Sequence, residues 1–168
     1  MDPITIETLP AQPVCEVDAA PRLWQIPSVI ANCFGQATAQ IETAGAERTG
    51  MPHARYLEID WATMKHSAFR QMLGMLFKRQ KMKAGFHLAR PHEVDGRPFG
   101  SEIPAGRYAT TIHRGAYHKV GETYSRVLDW ANEQGLELAD NTIESYIDDP
   151  GEMPMEEVRT QVFVPLVD

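Results

Sequence analysis

A glutamate and a tyrosine two residues apart, Glu144 and Tyr146, form the pair in this sequence best suited to chemistry. Residues 141–149 alternate in the manner of a β-strand, so both side chains are expected on one face of that strand. Ile143 and Ile147 take the opposite face, which indicates that the carboxylate is at least partly buried. A buried carboxylate needs a partner or acquires a raised pKa.

Such a carboxylate can act in two ways. With aromatic walls it binds a lipophilic cation through charge attraction and cation–π contact. Beside an aromatic hydroxyl it activates a water molecule as a general base. A structural alternative is that Glu144 forms an ion pair with Arg107 or Arg55 and only holds the sheet together. The residues themselves leave these three roles open.

A faint internal repeat adds a second tyrosine to the candidate site. Residues 56–60 (Tyr-Leu-Glu-Ile-Asp) resemble residues 144–148 (Glu-Ser-Tyr-Ile-Asp), and alignment of the Ile-Asp pairs places Tyr56 opposite Glu144. We therefore expect these two side chains to face each other across a groove, and in an enzyme Tyr56 or Tyr146 would assist Glu144. His113 ends a strand and either donates to a ligand or caps a turn. The remaining candidate wall residues, for which core packing is the alternative, are Tyr108, Tyr117 and Trp24.

Other catalytic motifs are absent from the sequence. The six histidines show neither HExxH nor a Cys/His pair at zinc spacing, and none lies in a context typical of a haem ligand. There is no P-loop, no G-x-G-x-x-G after a strand and no serine in a nucleophile elbow. The sequence therefore predicts no metal and no cofactor.

Composition favours one globular domain over residues 1–168. The net charge of −7 makes the chain a poor general binder of nucleic acid. The charge is uneven: residues 65–83 carry six Lys/Arg and no Asp or Glu, whereas residues 116–168 carry twelve Asp/Glu and three Lys/Arg. Two cysteines are too few for a disulfide scaffold, and neither a signal peptide nor a membrane span is recognisable. A cytoplasmic location is expected.

Periodicity and turn residues predict an α+β chain with the order β-α-β, an inserted helix, β, and then β-α-β-β. An amphipathic basic helix is expected near residues 65–83, starting at about Ser67. The other predicted elements are an extended segment over 4–17, a helix from Ser28 to about Gly45, a loop over 44–52, strands at 54–61 and 84–90, a loop over 92–100, a strand at 103–115, a helix from 117 that ends at Gly135, and strands at 141–149 and 159–166. Each predicted long helix carries one apolar stripe: Ile30, Cys33, Phe34, Ala37 and Ile41 in the first, and Tyr117, Val120, Tyr124, Val127, Leu128 and Ala131 in the second.

The second half of the chain resembles the GyrI-like family, which also supplies the effector-binding domain of AraC- and MerR-type regulators. The matching features are Pro-Ala-Gly-x-Tyr at 104–108, His-x-Gly-x-Tyr at 113–117, Glu-x-Tyr at 144–146 with Asp-Pro at 149–150, and Thr-x-Val-x-Val-Pro-Leu at 160–166. The resemblance implies a tandem β-α-β-β (SHS2-like) repeat with halves at about 1–92 and 100–168. It also implies an antiparallel sheet, helices on one face of it and a central groove.

The resemblance also carries functional expectations. Members bind amphipathic, often cationic small molecules against a central glutamate, some hydrolyse strained cyclopropane-containing toxins, and others modulate DNA gyrase. We therefore expect a stand-alone domain that binds an apolar or cationic ligand around Glu144. The alternatives are a hydrolase of electrophilic small molecules with Glu144 as general base, and a protein-interaction module that uses the acidic half or the basic helix. Regulators of this family carry an added helix-turn-helix domain, which is not recognisable in this sequence, so no direct contact with nucleic acid is expected.

Overall fold

The main sheet of the computed structural model, which describes residues 2–64 and 79–167, has eight antiparallel strands. They are β1 (Thr5–Leu9), β2 (Gln12–Ala19), β3 (Arg48–Tyr56), β4 (Met82–Leu88), β7 (Ser101–Ile103), β8 (Gly106–Arg114), β9 (Thr142–Tyr146) and β10 (Arg159–Pro165). Their order across the sheet is β1-β8-β10-β9-β3-β4-β2-β7. A separate hairpin joins β5 (His92–Val94) to β6 (Arg97–Phe99).

The helices are α1 (Ile26–Ala44), a short α2 (Trp61–Met64) and α3 (Val120–Gln134). The predicted stripe of α1 is confirmed, because Cys33, Ala37 and Ile41 are buried. Both long helices end at a glycine with a φ of 66°, Gly45 after α1 and Gly135 after α3. A left-handed residue at this position closes a helix, and glycine adopts it without steric cost.

Both long helices pack on the same face of the sheet, as expected. Helix α1 covers Ala54 of β3 and its neighbours, while α3 covers Val162 of β10. Ala54 pairs with Glu144, and Glu144 pairs with Val162, so these three side chains share one face. We call this the helix face and the other the open face.

Each half of the sheet is one β-α-β-β unit, β2-α1-β3-β4 and β8-α3-β9-β10, and β3 meets β9 at the centre. The predicted repeat is therefore present, but its predicted register is wrong by two residues. Tyr56 and Tyr146 each follow their helix-ending glycine by eleven residues and each end a strand, so Tyr56 corresponds to Tyr146, and Ala54 corresponds to Glu144. Ala54 also pairs directly with Glu144, so the pseudo-twofold axis passes between them.

The first half contains two boundary errors. The loop predicted over 44–52 is largely strand, because β3 already begins at Arg48 and passes a bulge between Thr49 and Pro52, where proline cannot donate to the ladder. The strand predicted to reach residue 61 stops at Tyr56. Glu58 has a φ of 56°, and this left-handed residue turns the chain.

Two further predictions, the basic helix near 65–83 and the loop over 92–100, differ from the structure where it describes these residues. Most of the predicted basic helix, residues 65–78, lies outside the described residues. Its C-terminal part is not helical, because Arg79 forms a bridge with Arg22 and β4 begins at Met82. The loop predicted over 92–100 contains the β5–β6 hairpin, whose turn residues Asp95 and Gly96 both have positive φ.

No helix in the described part of the chain has the length and apolar character needed to cross a membrane.

Candidate functional site

The candidate site is built around the carboxylate of Glu144, which lies on central strand β9 and is 3% exposed. The Tyr124 hydroxyl, from helix α3, donates a hydrogen bond of 2.5 Å to Oε1 of Glu144. The Tyr146 hydroxyl donates a 3.2 Å hydrogen bond to Oε2. Tyr124 also lies 3.1 Å from the hydroxyl of Thr142, so its oxygen is held by two contacts. The carboxylate is thus fixed by neutral donors from a helix and from its own strand.

Burial dominates the electrostatics of this carboxylate. It raises the pKa of Glu144 to about 7, although the hydrogen bonds from Tyr124 and Tyr146 act in the opposite direction. Burial, followed by the charge of Glu144, also raises the pKa values of Tyr56 and Tyr124. The same two causes raise that of Tyr146. These tyrosines therefore remain neutral hydrogen-bond donors near neutral pH, and Glu144 can exchange its proton there.

Tyr56 lies on the same face of the sheet as Glu144, as the sequence hypothesis requires. It ends β3 opposite Thr142, two positions from the Ala54–Glu144 pair. Its hydroxyl interacts with that of Tyr146. Tyr56 is thus a diagonal neighbour of Glu144 across adjacent strands, and the two do not face each other from opposite sides of a groove.

Aromatic rings from several elements surround this polar centre. Tyr117 precedes α3, and its ring lies 5.4 Å from that of Tyr146 between centroids, edge to face. Phe34 of α1 makes a second edge contact with Tyr146 at 6.1 Å, and Trp61 of α2 contacts Tyr124 at 6.3 Å. Phe34, Tyr117 and Tyr146 each keep part of their surface exposed. They therefore provide apolar walls above the carboxylate.

Phe34 and Tyr124 lie on the predicted apolar stripes of α1 and α3, where the expected role is core packing. Their spacing is that of core residues, so periodicity alone could not single them out. One signal was available for Tyr124, because the stripe of an amphipathic helix faces the sheet and a hydroxyl in that stripe needs a buried partner. Trp61 ends a predicted strand, and nothing in that position indicates a contact with Tyr124.

Three predicted site residues lie elsewhere. Tyr108 is on the open face, where it packs against Ile143 and Phe163 and donates its hydroxyl to the carbonyl of Pro104 at 2.6 Å. It was assigned wrongly because the alternation of β8 could not show which of its faces meets the helices. Trp24 is 56% exposed and stacks with the guanidinium of Arg22 at 5.3 Å.

His113 is the third of these residues and is buried. Its Nδ1 lies 2.9 Å from the hydroxyl of Thr123, and its Nε2 lies 3.2 Å from the carbonyl of Ala116. Both ring nitrogens are occupied within the chain, so His113 holds the turn into α3, which was the stated alternative.

Arg55 does not form the ion pair with Glu144 that the sequence offers as an alternative. Its Nε lies 2.9 Å from Oε1 of Glu16, on the open face. Arg107 lies on β8 opposite Thr8 of β1, two strands away from β9.

A family model identifies the chain. The model of the GyrI-like small molecule binding domain matches residues 77–167, more than half of the sequence, and the chain belongs to this family. The matched part contains Glu144, Tyr124 and Tyr146, whereas Tyr56 lies outside it. No protein of curated function matches the chain in sequence.

Solved structures share the fold at low identity. The EcmrR C-terminal domain matches with a TM-score of 0.73 and 18% identity, covering 100% of this chain and 99% of that one. A hydrolase from Listeria innocua encoded by lin2189 matches with a TM-score of 0.59 and 13% identity, covering 98% and 91%. SAV2435, in a structure bound to tetraphenylphosphonium, matches with a TM-score of 0.54 and 12% identity, covering 98% and 94%. This likeness extends the common fold over the N-terminal half.

Proposed function

We propose that this GyrI-like domain binds an amphipathic organic cation against the carboxylate of Glu144. The observation that carries the proposal is a buried carboxylate whose described hydrogen-bond partners, Tyr124 and Tyr146, are neutral hydroxyls. Neutral donors hold an ionised carboxylate in place but do not compensate its negative charge. An organic cation would supply the missing positive charge.

The surroundings of Glu144 suit a cation with apolar substituents. The rings of Phe34, Tyr117 and Tyr146 provide apolar area, and their faces attract positive charge. A small, strongly hydrated metal ion would gain little from such walls, whereas a quaternary ammonium or phosphonium ion is weakly hydrated and matches them. The SAV2435 structure with tetraphenylphosphonium shows that a relative of the same fold takes a ligand of this class.

Binding requires the site to open. Because only 3% of Glu144 is exposed, a ligand reaches the carboxylate only when neighbouring side chains move apart. A cavity of about 400 Å³ adjoins this region, with Met82 in its wall. Met82 also packs in the cluster that contains Tyr56 and Tyr146, so the cavity lies next to the side chains that would have to move. The cost of opening lowers the apparent affinity by the fraction of molecules that are open.

A thermal-shift comparison tests the proposal. Tetraphenylphosphonium should raise the unfolding temperature of the wild type and of Ser145→Ala, in which the neighbouring side chain on the open face is shortened. Glu144→Gln keeps the size of the side chain but removes the charge, so its shift should be much smaller. Triphenylphosphine oxide, which is uncharged, should shift all three proteins little. Equal shifts for the wild type and Glu144→Gln would refute the role of the charge.

Hydrolysis of an electrophile is a second candidate function, favoured by the pKa of about 7 for Glu144. A general base works best when its pKa lies near the working pH. Ionised Glu144 would take a proton from water as the water oxygen attacks a carbon of a strained three-membered ring. The bond from that carbon to its leaving atom breaks, and Tyr56 or Tyr146 protonates the leaving atom. The lin2189 relative, described as a hydrolase, supports this reading.

Turnover separates catalysis from binding. Styrene oxide serves as the probe, and formation of its diol is followed by chromatography with the protein at catalytic concentration. A hydrolase should lose roughly 10²- to 10⁴-fold in rate on Glu144→Gln. If the wild type forms diol no faster than buffer does, epoxide hydrolysis is excluded and the binding proposal stands on the thermal-shift result alone.

A further inference from the structure

The open face carries a second cavity, of about 370 Å³, on the side of the sheet opposite Glu144. Its wall includes Ile143 and Ser145 of β9, which flank Glu144 in sequence but point the other way. Its volume is in the range of small-molecule pockets, about 300–1,000 Å³. The other apolar residues of the wall are Leu9, Ala11, Pro13, Met51, Leu88, Ile103 and Phe163.

A buried polar cluster lies beside this cavity. One oxygen of the Glu16 carboxylate, Oε1, lies 2.9 Å from Nε2 of His53 and 2.9 Å from Nε of Arg55. Ser101 donates to its other oxygen at 3.1 Å. Burial alone would raise the pKa of Glu16, but the hydrogen bond from His53 and the charge of Arg55 outweigh it, so the pKa is lowered. Glu16 is therefore ionised, and Arg55 balances its charge.

The contact between Nε2 of His53 and the carboxylate of Glu16 determines where the ring carries its proton. An ionised carboxylate only accepts hydrogen bonds, so Nε2 of His53 carries a proton, and in the neutral form of the ring Nδ1 is an acceptor. His53 is 0% exposed, and its Nδ1 has no hydrogen-bond partner among the described residues. Buried polar atoms of native proteins are nearly always paired with protein or ordered water, so Nδ1 is a point at which a bound water molecule or a ligand donor can form a hydrogen bond.

Two wall residues of the cavity are neighbours of His53. Ser145 pairs with His53 across β9 and β3. The ring of His87 lies 4.5 Å from that of His53 between centroids. Burial, and then the neighbouring His53, lower the pKa of His87 to about 4, so its ring is neutral at pH 7. The polar groups of the wall near His53 therefore carry no charge.

We propose that the open-face cavity is a second binding site, specific for an uncharged, largely apolar molecule that carries one hydroxyl or N–H donor. The apolar wall contacts the apolar part of the molecule. His87 and Ser145 orient its donor towards the region of the unpaired Nδ1 of His53. This cavity offers a cation little attraction, because Glu16, the buried anion beside it among the described residues, is already paired with Arg55. The inference is independent of the proposed role of Glu144.

Methionine methyl groups report on the two faces separately. Met51 lies in the wall of the open-face cavity, whereas Met82 is buried on the helix face. The full chain labelled with ¹³C at the methionine methyls is titrated with 4-ethylphenol, with its methyl ether 4-ethylanisole, and with (4-ethylphenyl)trimethylammonium. The phenol should give a saturable shift at Met51 and little change at Met82. The ether, which lacks the donor, should bind at least fivefold more weakly, and the cation should leave Met51 unchanged.

Variants assign the response to the cavity. Ser145→Leu fills the space and should weaken binding of 4-ethylphenol at least tenfold, whereas Glu144→Gln should leave it unchanged. Gln161→Phe fills the same cavity from β10 and replaces Ser145→Leu if that variant does not fold, which an altered Met82 signal reveals. The proposal is overturned if the phenol shifts Met82 and not Met51, if neither methyl shows saturation up to the solubility limit, or if the ether binds as tightly as the phenol.

Discussion

Replacement of Glu144 by glutamine should change how stability depends on pH. The folded chain holds the Glu144 proton up to a pKa of about 7, whereas the ordinary value is 4.5. Between these values the unfolded state binds fewer protons than the folded state, so the free energy of unfolding falls as pH rises. The stabilising contribution is fully present below pH 4.5 and is lost as pH rises through about 7. One pKa unit corresponds to about 1.4 kcal/mol, so the whole effect is roughly 3 kcal/mol.

Urea denaturation of both proteins between pH 5 and pH 8 measures this effect. Glutamine does not titrate, so the stability of Glu144→Gln relative to the wild type should rise by about 2.5 kcal/mol over that range. The difference between the two proteins removes the contribution of every other titrating group. Glu133→Gln, on the exposed side of α3, controls for the loss of one carboxylate from the chain. A stability difference that stays constant from pH 5 to pH 8 would show that Glu144 is not desolvated, and the reasoning would fail.

Three other substitutions test the packing that positions the site. Tyr124→Phe removes the hydrogen bond that lowers the pKa of Glu144, so the pH-dependent fall in stability should move to higher pH and urea denaturation should show a loss of about 1–3 kcal/mol. An unmoved profile would contradict this. Gly85→Ala would place its Cβ 1.9 Å from the carbonyl oxygen of Cys15, so thermal unfolding should show severe destabilisation, more than about 3 kcal/mol. The matched change Gly35→Ala, in open space on α1, should instead stabilise by up to about 1 kcal/mol, and equal effects of the two would refute the packing argument.

Much of the fold follows from patterns that the sequence shows directly. Helices α1 and α3 follow local rules: apolar residues recur at helical spacing, and a glycine ends each helix. These rules hold because both helices bury one face. The boundaries of β3 do not follow, since Pro52 and the Thr-Gly-Met segment before it indicate a loop when read alone. Pairing with β4 and β9 on both sides overrides that local preference.

The candidate site was predictable where it depends on one strand. Alternation in β9 is enough to place Glu144 and Tyr146 together and Ile143 opposite, and the structure has this arrangement. The alternation of β8 separates its two faces equally well, but it cannot show which one meets the helices. Tyr108 was therefore assigned to the wrong side. The choice of face depends on how distant strands pair, which the local pattern does not contain.

The central claim is that an ionised, buried Glu144 binds an organic cation, and calorimetric titration with tetraphenylphosphonium tests it most directly. With a pKa of about 7, roughly ten times more of Glu144 is ionised at pH 8 than at pH 6. The wild type should therefore bind about tenfold more tightly at pH 8. Glu144→Gln should bind at least tenfold more weakly than the wild type at pH 8 and show the same affinity at both pH values. Equal affinity of the two proteins at pH 8, or a wild-type affinity that does not change between pH 6 and pH 8, would contradict the account.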